Sequence, residues 1–309
     1  MRIKKRPIII DTDPGIDDAI ALAIALFDDE LDVKLITTVC GNVSLEKVTN
    51  NTLKLLKFWD LKIPVAIGAS DPLIKTLEDA ANVHGESGMD GYDFEAGDRS
   101  VILKENAVNA LYNTLMDSNE KIEVICIGPL TNIALLLKVY PEVKKKIANI
   151  ILMGGSTKRG NKGVMSEFNI HVDPEAAKIV FSSKLPIVMA GLDVGLKALV
   201  YPEDSIKIKT FNKTGEMIYS LLQRYRGNGL RNGLKMYDSC AIAYLLNPEM
   251  FEVKDVFVDI ELNGKYTTGT TVVDLSNYLK EEPNVKVCLD INQEMFKNWL
   301  LEKLSRCPW

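Results

Sequence analysis

The sequence is poor in the residues that build several common catalytic centres. It contains only two histidines, His84 and His171, and its five cysteines are scattered along 309 residues without a Cys-x-x-Cys pair. The cysteines are Cys40, Cys126, Cys240, Cys288 and Cys307. This distribution argues against a zinc site, a disulfide framework and a Ser-His-Asp triad. We therefore expect a protein of the reducing cytoplasm.

Long apolar runs and basic stripes are missing as well. No stretch approaches the length of a membrane span, and the apolar run at residues 8–10 is too short for the core of a signal peptide. The formal net charge is -5, and no Lys/Arg stripe suggests a surface for nucleic acid. The GxSxG, Walker A and GxGxxG fingerprints are also absent. We expect neither nucleic acid nor a membrane as a partner.

What the sequence does contain is a regular alternation of short apolar runs and longer helical patterns. Strands are predicted at residues 8–10, 33–39, 65–67, 124–127, 150–153, 187–190 and 285–289. Helices are predicted at residues 17–27, 45–59, 107–117, 132–139, 174–181 and 293–304. This alternation predicts an α/β fold, with an open, mostly parallel, Rossmann-like sheet and helices on both faces. No linker divides the chain, so we predict a single domain over residues 1–309.

Three further segments depart from this alternation. The runs at 256–262 and 266–273 flank Asn263-Gly264, which predicts a small C-terminal β-hairpin. The polar, Gly-rich stretch 70–99 is predicted to be a long loop that covers a site. We interpret residues 205–237 as an inserted active-site region.

An acidic cluster follows the first predicted strand. The segment DTDPGIDD places Asp11, Asp13, Asp17 and Asp18 within eight positions. Ligands of open parallel sheets bind beyond the carboxyl ends of the strands, where this segment lies. Carboxylates this close repel one another unless a cation neutralises them, and oxygen ligands suit calcium or magnesium. Helix capping would explain one or two of these aspartates but not all four.

Other polar residues follow later strands, and each has an ordinary explanation on its own. Thr131 and Asp238 could simply begin helices, and Asn161 suits a turn. Asp173 suits an N-cap with Pro174 at the first helical position. The Glu167-Phe168-Asn169 segment combines acceptors and donors in a pattern suited to binding hydroxyl groups.

Taken in order, the motifs resemble those of the inosine–uridine nucleoside hydrolase family over nearly the whole chain. The matching segments are DTDPGIDDA at 11–19, GN at 41–42, HGESGMDG at 84–91, GPLTN at 128–132, MGG at 153–155, GN at 160–161, EFN at 167–169, DPEAA at 173–177, YDSCAIAY at 237–244 and TGTTVVD at 268–274. The resemblance implies an enzyme that hydrolyses the N-glycosidic bond of ribonucleosides with a bound calcium ion. We also expect a homodimer or homotetramer.

The resemblance implies a role for each matching residue. The calcium ligands would be Asp13, Asp18, the carbonyl of Thr131, and Asp238, with Asp13 also the general base for the attacking water. Five residues would bind the ribose hydroxyls: Asp17, Asn42, Asn161, Glu167 and Asn169. Met153 would line the ribose pocket, and His84 would lie near the nucleobase.

Two positions depart from the family pattern. Tyr237 stands where many relatives carry a histidine that protonates a departing purine, and Thr268 stands where relatives often have arginine. Tyr237 is a weaker acid than histidine, so we predict either a relay with Tyr225, Arg226 and Arg231 or a preference for bases that leave without a strong acid. Tyr237 is thus a candidate catalytic residue and Tyr225 a candidate substrate contact. We lean toward pyrimidine ribonucleosides such as uridine or cytidine.

Two other functions stay open at this point. A haloacid-dehalogenase-like magnesium phosphatase also begins with a strand and a DxD motif, such as Asp11-Thr12-Asp13. That function needs a later catalytic lysine and leaves the EFN and DPEAA segments unexplained. A non-catalytic nucleoside-binding protein could use the same scaffold, although the full set of metal ligands argues against it.

Overall fold

The computed structural model describes residues 4–225 and 229–308. Within these ranges the strands are β1 Arg6–Thr12, β2 Leu31–Thr38, β3 Val65–Ile67, β4 Ile122–Cys126, β5 Ile147–Met153, β6 Ile187–Ala190, β7 Leu199–Val200, β8 Leu234–Lys235, β9 Phe251–Val256, β10 Val258–Ile260, β11 Thr271–Val273 and β12 Val285–Ile291. The helices there are α1 Ile16–Phe27, α2 Leu45–Phe58, α3 Ala81–His84, α4 Ala107–Asp117, α5 Thr131–Val139, α6 Phe168–Val172, α7 Pro174–Phe181, α8 Leu192–Gly195, α9 Pro202–Lys209, α10 Lys213–Leu222, α11 Ser239–Leu246 and α12 Gln293–Ser305.

The main sheet confirms the predicted α/β architecture. Its strand order is β3-β2-β1-β4-β5-β6-β12-β9, and the pairs along it are parallel except for β12 with β9. The chain runs outward from β1 through β2 to β3 and then returns to place β4 on the other side of β1. This reversal creates a crevice beyond the carboxyl ends of β1 and β4, where open α/β sheets bind their ligands.

Helices cover both faces of the sheet, as predicted. Along β1, the side chains of Ile8 and Ile10 belong to the core shared with α1, α10, α11 and α12, whereas Ile9 belongs to the core shared with α4, α5 and α7. Successive strand residues point to opposite faces, so a continuous apolar run is what a strand buried on both sides requires. No helix in the described ranges is long and apolar enough to cross a membrane.

The predicted C-terminal hairpin forms, with a longer connection than the predicted runs leave between them. β10 pairs antiparallel with β11, with Val258 opposite Val273 and Ile260 opposite Thr271. The connection therefore runs through residues 261–270, and Asn263-Gly264 lies inside a longer loop. The Glu261 carboxylate accepts the backbone N–H groups of Asn263 and Gly264 at 2.6 and 3.1 Å, which stabilises this loop locally. Both strands are therefore shorter than the predicted runs at 256–262 and 266–273.

The predicted loop and the predicted insertion both contain helices. The stretch 70–99 includes α3, which ends at His84. The proposed insertion at 205–237 contains most of α9 and all of α10, and β8 near its end pairs antiparallel with β7. Helix α9 packs against α12, and α10 packs against both α1 and α12. This region therefore extends the core on the α1 face of the sheet.

Candidate active site

Asp13 lies at the end of β1, inside the crevice. Its side chain is fully buried, and its Oδ2 atom accepts the backbone N–H of Asn42 at 2.7 Å. A Cβ atom on Gly41 would lie 2.0 Å from Oδ2, and one on Gly128 would lie 2.7 Å from Oδ1. The loops after β2 and β4 can therefore close on this carboxylate only because both residues are glycines. The Oδ1 atom is buried without a hydrogen-bond partner among the described residues.

Three further carboxylates gather beside Asp13. One oxygen each from Asp17, Asp18 and Asp238 lies within 4.8 Å of the others, and all three side chains are buried. Asp18 also accepts the hydroxyl of Thr12 at 2.7 Å and the N–H of Gly15 at 2.9 Å. The closest grouping thus includes Asp17, which the resemblance places on the ribose. The division of these residues between metal and sugar stays a prediction.

Capping does not account for the position of Asp238. This residue occupies the N-cap of α11, but its side chain makes no capping hydrogen bond. One oxygen of its carboxylate instead lies within 4.8 Å of a carboxylate oxygen of Asp18, a residue near the start of the chain. An N-cap residue would normally satisfy a backbone N–H, so the sequence-local explanation fails here.

Burial makes ionisation of these carboxylates energetically unfavourable unless a cation is bound beside them. Burial and then repulsion from Asp17 raise the pKa of Asp18 from 3.8 to about 7. Burial and the neighbouring carboxylates also raise the pKa values of Asp13 and Asp238 well above their usual range. A hard divalent cation would neutralise this charge and would take oxygen ligands only. The buried Oδ1 atom of Asp13 and the oxygen-only donor set therefore fit such an ion.

A cavity of about 160 Å³ opens onto this cluster through Asp238. Its walls are Asn42, Asn82, Val83, His84, Ile127, Met153, Asn161, Lys162, Glu167, Phe168, Asn169, Tyr237 and Asp238. The cavity thus brings together most of the predicted substrate residues. They come from the loop after β2, the segment after β5 and the 70–99 stretch. Asp13, Asp17 and Asp18 do not line the cavity and lie in the protein interior beside it.

One wall of the cavity is a fixed array of hydrogen-bonding groups. The Glu167 carboxylate caps α6 by accepting the N–H groups of Asn169 and Ile170 at 3.1 and 3.2 Å. Burial raises the pKa of Glu167 from 4.5 to about 7. The Asn169 amide donates to the carbonyls of Ile127 and Met153 at 3.2 and 3.1 Å. These bonds hold the two side chains in one orientation.

His84 forms part of the opposite wall. The backbone N–H of Ile16 donates to His84 Nδ1 at 3.1 Å, and Asp17 Oδ1 lies 3.9 Å from the same nitrogen. The imidazole ring also packs on Tyr225, with 5.3 Å between ring centroids. Because Nδ1 accepts a hydrogen bond, the ring proton of neutral His84 is on Nε2. The helix start of α1 therefore sets the orientation of both His84 and Asp17.

Comparison with known proteins agrees with this geometry. A family model described as inosine-uridine preferring nucleoside hydrolase matches residues 8–298. The chain belongs to the inosine–uridine preferring nucleoside hydrolase family.

Individual relatives match over almost their full length. The non-specific ribonucleoside hydrolase RihC of Salmonella enteritidis is 50% identical over 301 residues, covering 97% of this chain and 98% of the relative. RihC of Klebsiella pneumoniae is 51% identical over 302 residues, covering 98% and 99%. The solved purine-preferring ribonucleoside hydrolase of Gardnerella vaginalis aligns with a TM-score of 0.90 at 28% identity, covering 97% and 98%. The chain is therefore a ribonucleoside hydrolase, which settles the choice against the phosphatase and the non-catalytic binding protein.

Tyr237 lines the cavity of this nucleoside hydrolase, and a close contact with Gly195 holds its ring in place. Its side chain is buried next to Asp238, and a Cβ atom on Gly195 would lie 2.3 Å from its Cδ1 atom. The ring thus packs directly on the backbone of α8. Of the residues predicted to assist Tyr237, Tyr225 is buried against His84, the Arg231 side chain is exposed, and Arg226 lies outside the described residues.

Thr131 does not cap its own helix. The N-cap of α5 is Leu130, and the Thr131 hydroxyl donates instead to Asp173 Oδ2 at 2.7 Å. Asn161 also has a structural contact, because its Oδ1 atom accepts the Phe168 N–H at 2.9 Å. Asn161 lines the cavity and Thr131 does not, and their ligand roles stay predictions.

Sequence reasoning missed five residues that line the cavity. They are Asn82, Val83, Ile127, Lys162 and Phe168. Phe168 lies inside the EFN motif, and the other four lie within two residues of a motif, so proximity in sequence was an available signal. Asn82 and Val83 belong to α3 together with His84, a helix that was not predicted.

Proposed function

We propose that this hydrolase splits ribonucleosides into free base and ribose at a calcium site formed by Asp13, Asp18, Asp238 and the carbonyl of Thr131. Asp13 would act as the general base. The observation that carries the proposal is the buried carboxylate cluster at the β1–β4 crevice, with one Asp13 oxygen lacking a partner in the described structure. Calcium is the expected ion because the donors are all oxygen and come from several separate segments.

Asp13 is suited to accept the proton of the attacking water. Its Oδ2 atom is fixed by the Asn42 N–H, which leaves Oδ1 as the atom able to take the proton. When bound, calcium supplies positive charge that orients water and lowers its pKa.

The size of the cavity suits the sugar better than a complete nucleoside. At about 160 Å³ it is smaller than the roughly 300 Å³ at which drug-sized ligand sites begin. Glu167, Asn169 and Asn161 would hold ribose hydroxyls on one wall, with Asn42 and Asp17 on the side of the carboxylate cluster and Met153 beside them. These carboxylates and amides would also stabilise positive charge that develops on the ribose as the bond to the base breaks.

The base would then lie toward His84 and Tyr237. His84 presents an Nε2–H donor, and Tyr237 a phenol whose acidity is weak compared with histidine. Pyrimidines can spread leaving-group charge onto ring carbonyl oxygens, which such donors can hydrogen-bond. The RihC relatives carry the name non-specific. We therefore propose that the enzyme accepts both base classes and cleaves uridine and cytidine faster than inosine and adenosine.

A panel of ribonucleosides tests this proposal. We would measure kcat/KM for uridine, cytidine, inosine and adenosine by release of free ribose, with calcium and with a chelator. Activity should require calcium, and Tyr237→Phe should lower it. A native preference for inosine would overturn the pyrimidine preference. An unchanged Tyr237→Phe variant would leave Tyr237 only the role of packing beside Asp238.

The metal assignment has a separate test. Asp18→Ala and Asp238→Ala should lose both calcium and activity. Asp28→Ala is a suitable control, since Asp28 is also a buried aspartate but pairs with Lys303 at 2.6 Å outside the carboxylate cluster. It should lose stability and keep its calcium. Full calcium occupancy in both cluster variants would rule out the proposed ligands.

A further inference from the structure

Asp173 is a fully buried carboxylate with two different functions in the fold. Its Oδ1 atom accepts the N–H of Ala176 at 2.9 Å and caps α7. Its Oδ2 atom accepts the hydroxyl of Thr131 at 2.7 Å and the N–H of Leu73 at 2.9 Å. Capping requires only the first of these bonds. The second oxygen instead joins the start of α5 to the loop after β3.

Both segments that Asp173 joins lead to the active site. Thr131 ends the β4–α5 loop, whose Gly128 lies so close to Asp13 that a Cβ atom there would be 2.7 Å from Oδ1. Leu73 begins the segment that continues into α3 and His84. Asp173 does not line the cavity, so it has no direct contact with a ligand there.

We propose that Asp173 is a positioning residue for the metal site, which it organises by holding Thr131 through the threonine hydroxyl. This rests on the proposed function, in which the Thr131 carbonyl is a calcium ligand. A carbonyl can serve as a ligand only if its peptide is held in place before the ion binds. The bond from a hydroxyl to a buried carboxylate is a strong restraint on that peptide, because it is charge-assisted and shielded from water.

Two conservative variants remove this contact, and Asp173→Asn removes the bond from the Leu73 N–H as well. Thr131→Val removes the hydroxyl but keeps the side-chain shape and the backbone carbonyl. Asp173→Asn keeps an oxygen that can cap α7 and replaces the other carboxylate oxygen with an amide nitrogen, which can only donate. We expect each variant to bind calcium roughly 10–100-fold more weakly, the range seen when partners of metal ligands are lost.

The measurement is the calcium dissociation constant, obtained by isothermal titration of the chelator-treated full-length protein. Thr52→Val is the matched control, since Thr52 is also a buried threonine whose hydroxyl donates to a backbone carbonyl, that of Val48 at 3.0 Å in α2. Its calcium affinity should equal that of the native protein. The double variant of Thr131 and Asp173 should bind no more weakly than the weaker single variant, because both changes remove the same contact.

The outcomes separate this inference from the proposed function. If the native protein binds no calcium, the proposed metal site itself fails, and this inference fails with it. If the native protein binds calcium and Thr131→Val binds it equally well, only the positioning role of Asp173 is overturned. Additive losses in the double variant would also overturn it. Thr131→Val decides the question alone if Asp173→Asn does not fold.

Discussion

Replacing Asp13 with asparagine tests the assignment of the general base with a change of one functional group. The amide oxygen can still accept the Asn42 N–H that Asp13 accepts at 2.7 Å, so the local fold should survive. The amide nitrogen would take the place of Oδ1 and cannot accept a proton. Loss of general-base catalysis alone should slow turnover by roughly 10²–10⁴-fold, or about 3–5 kcal/mol of barrier. Weaker calcium binding would add to this loss.

The same substitution should have the opposite effect on stability when calcium is absent. Burial and the nearby Asp18 raise the pKa of Asp13 well above its usual range, so the ionised carboxylate destabilises the metal-free fold at neutral pH. Asparagine carries no charge and removes this cost. We expect Asp13→Asn to melt above the native protein in chelator and below it in excess calcium, since only the native protein gains the full binding energy.

The assay combines ribose release from uridine with thermal unfolding in chelator and in calcium. Asp11→Asn is the matched control, because Asp11 is buried in the same strand but its carboxylate accepts hydrogen bonds from Thr37 and Asn132 outside the metal cluster. It should retain turnover. Near-normal turnover in Asp13→Asn would refute the assignment of the base. A lower melting temperature than the native protein in chelator would refute the electrostatic argument.

Three further predictions follow from the same site. In chelator, the free energy of unfolding should fall by about 4 kcal/mol as pH rises from about 4 to about 7, because the pKa of Asp18 is about 7 in the folded protein and 3.8 ordinarily. Thermal melts across this range should show the decrease, and excess calcium should abolish most of it. Ribonucleosides should be cleaved roughly 10⁴-fold faster than 2′-deoxyribonucleosides, since a missing hydroxyl leaves buried polar groups unsatisfied; similar kcat/KM values for uridine and deoxyuridine would contradict the ribose contacts. Gly195→Ala should lower kcat/KM roughly 10–100-fold by displacing the Tyr237 ring, and this loss should disappear in a Tyr237→Ala background.

Local signals predicted helices and strands best where a single chemical feature marks the boundary. Helix α4 begins as predicted because Asn106 caps it, with its Oδ1 atom accepting the Asn109 N–H at 3.0 Å. Helix α7 begins as predicted because Asp173 caps it and Pro174 follows. Strand β5 was predicted too short, since the partly exposed Ala148 and Asn149 interrupt the apolar signal between Ile147 and Ile150. The predicted strand covered only the part buried on both faces.

The interpretation of Asp238 and Thr131 as ordinary helix-start residues failed for a different reason. Asp238 and Thr131 both stand at helix starts, and nothing in their neighbourhood in the sequence separates a cap from another role. The structure shows that neither side chain caps its helix, because each one has a partner from a distant segment. Asp173 shows the converse, since the predicted cap is confirmed while its second oxygen makes contacts that no local pattern indicates.

The sequence by itself determined the α/β class, the acidic segment after β1 and the motifs that mark a nucleoside hydrolase. These features depend on periodicity and residue type within short windows, which act before any tertiary contact forms. Only the tertiary structure decided which carboxylates meet. The strand order places β4 beside β1, and the packing of α11 against α1 brings Asp238 to Asp18 across nearly the whole chain. Burial of that meeting point then raises the pKa values and makes a cation favourable there, an effect that depends on surroundings that no short segment contains.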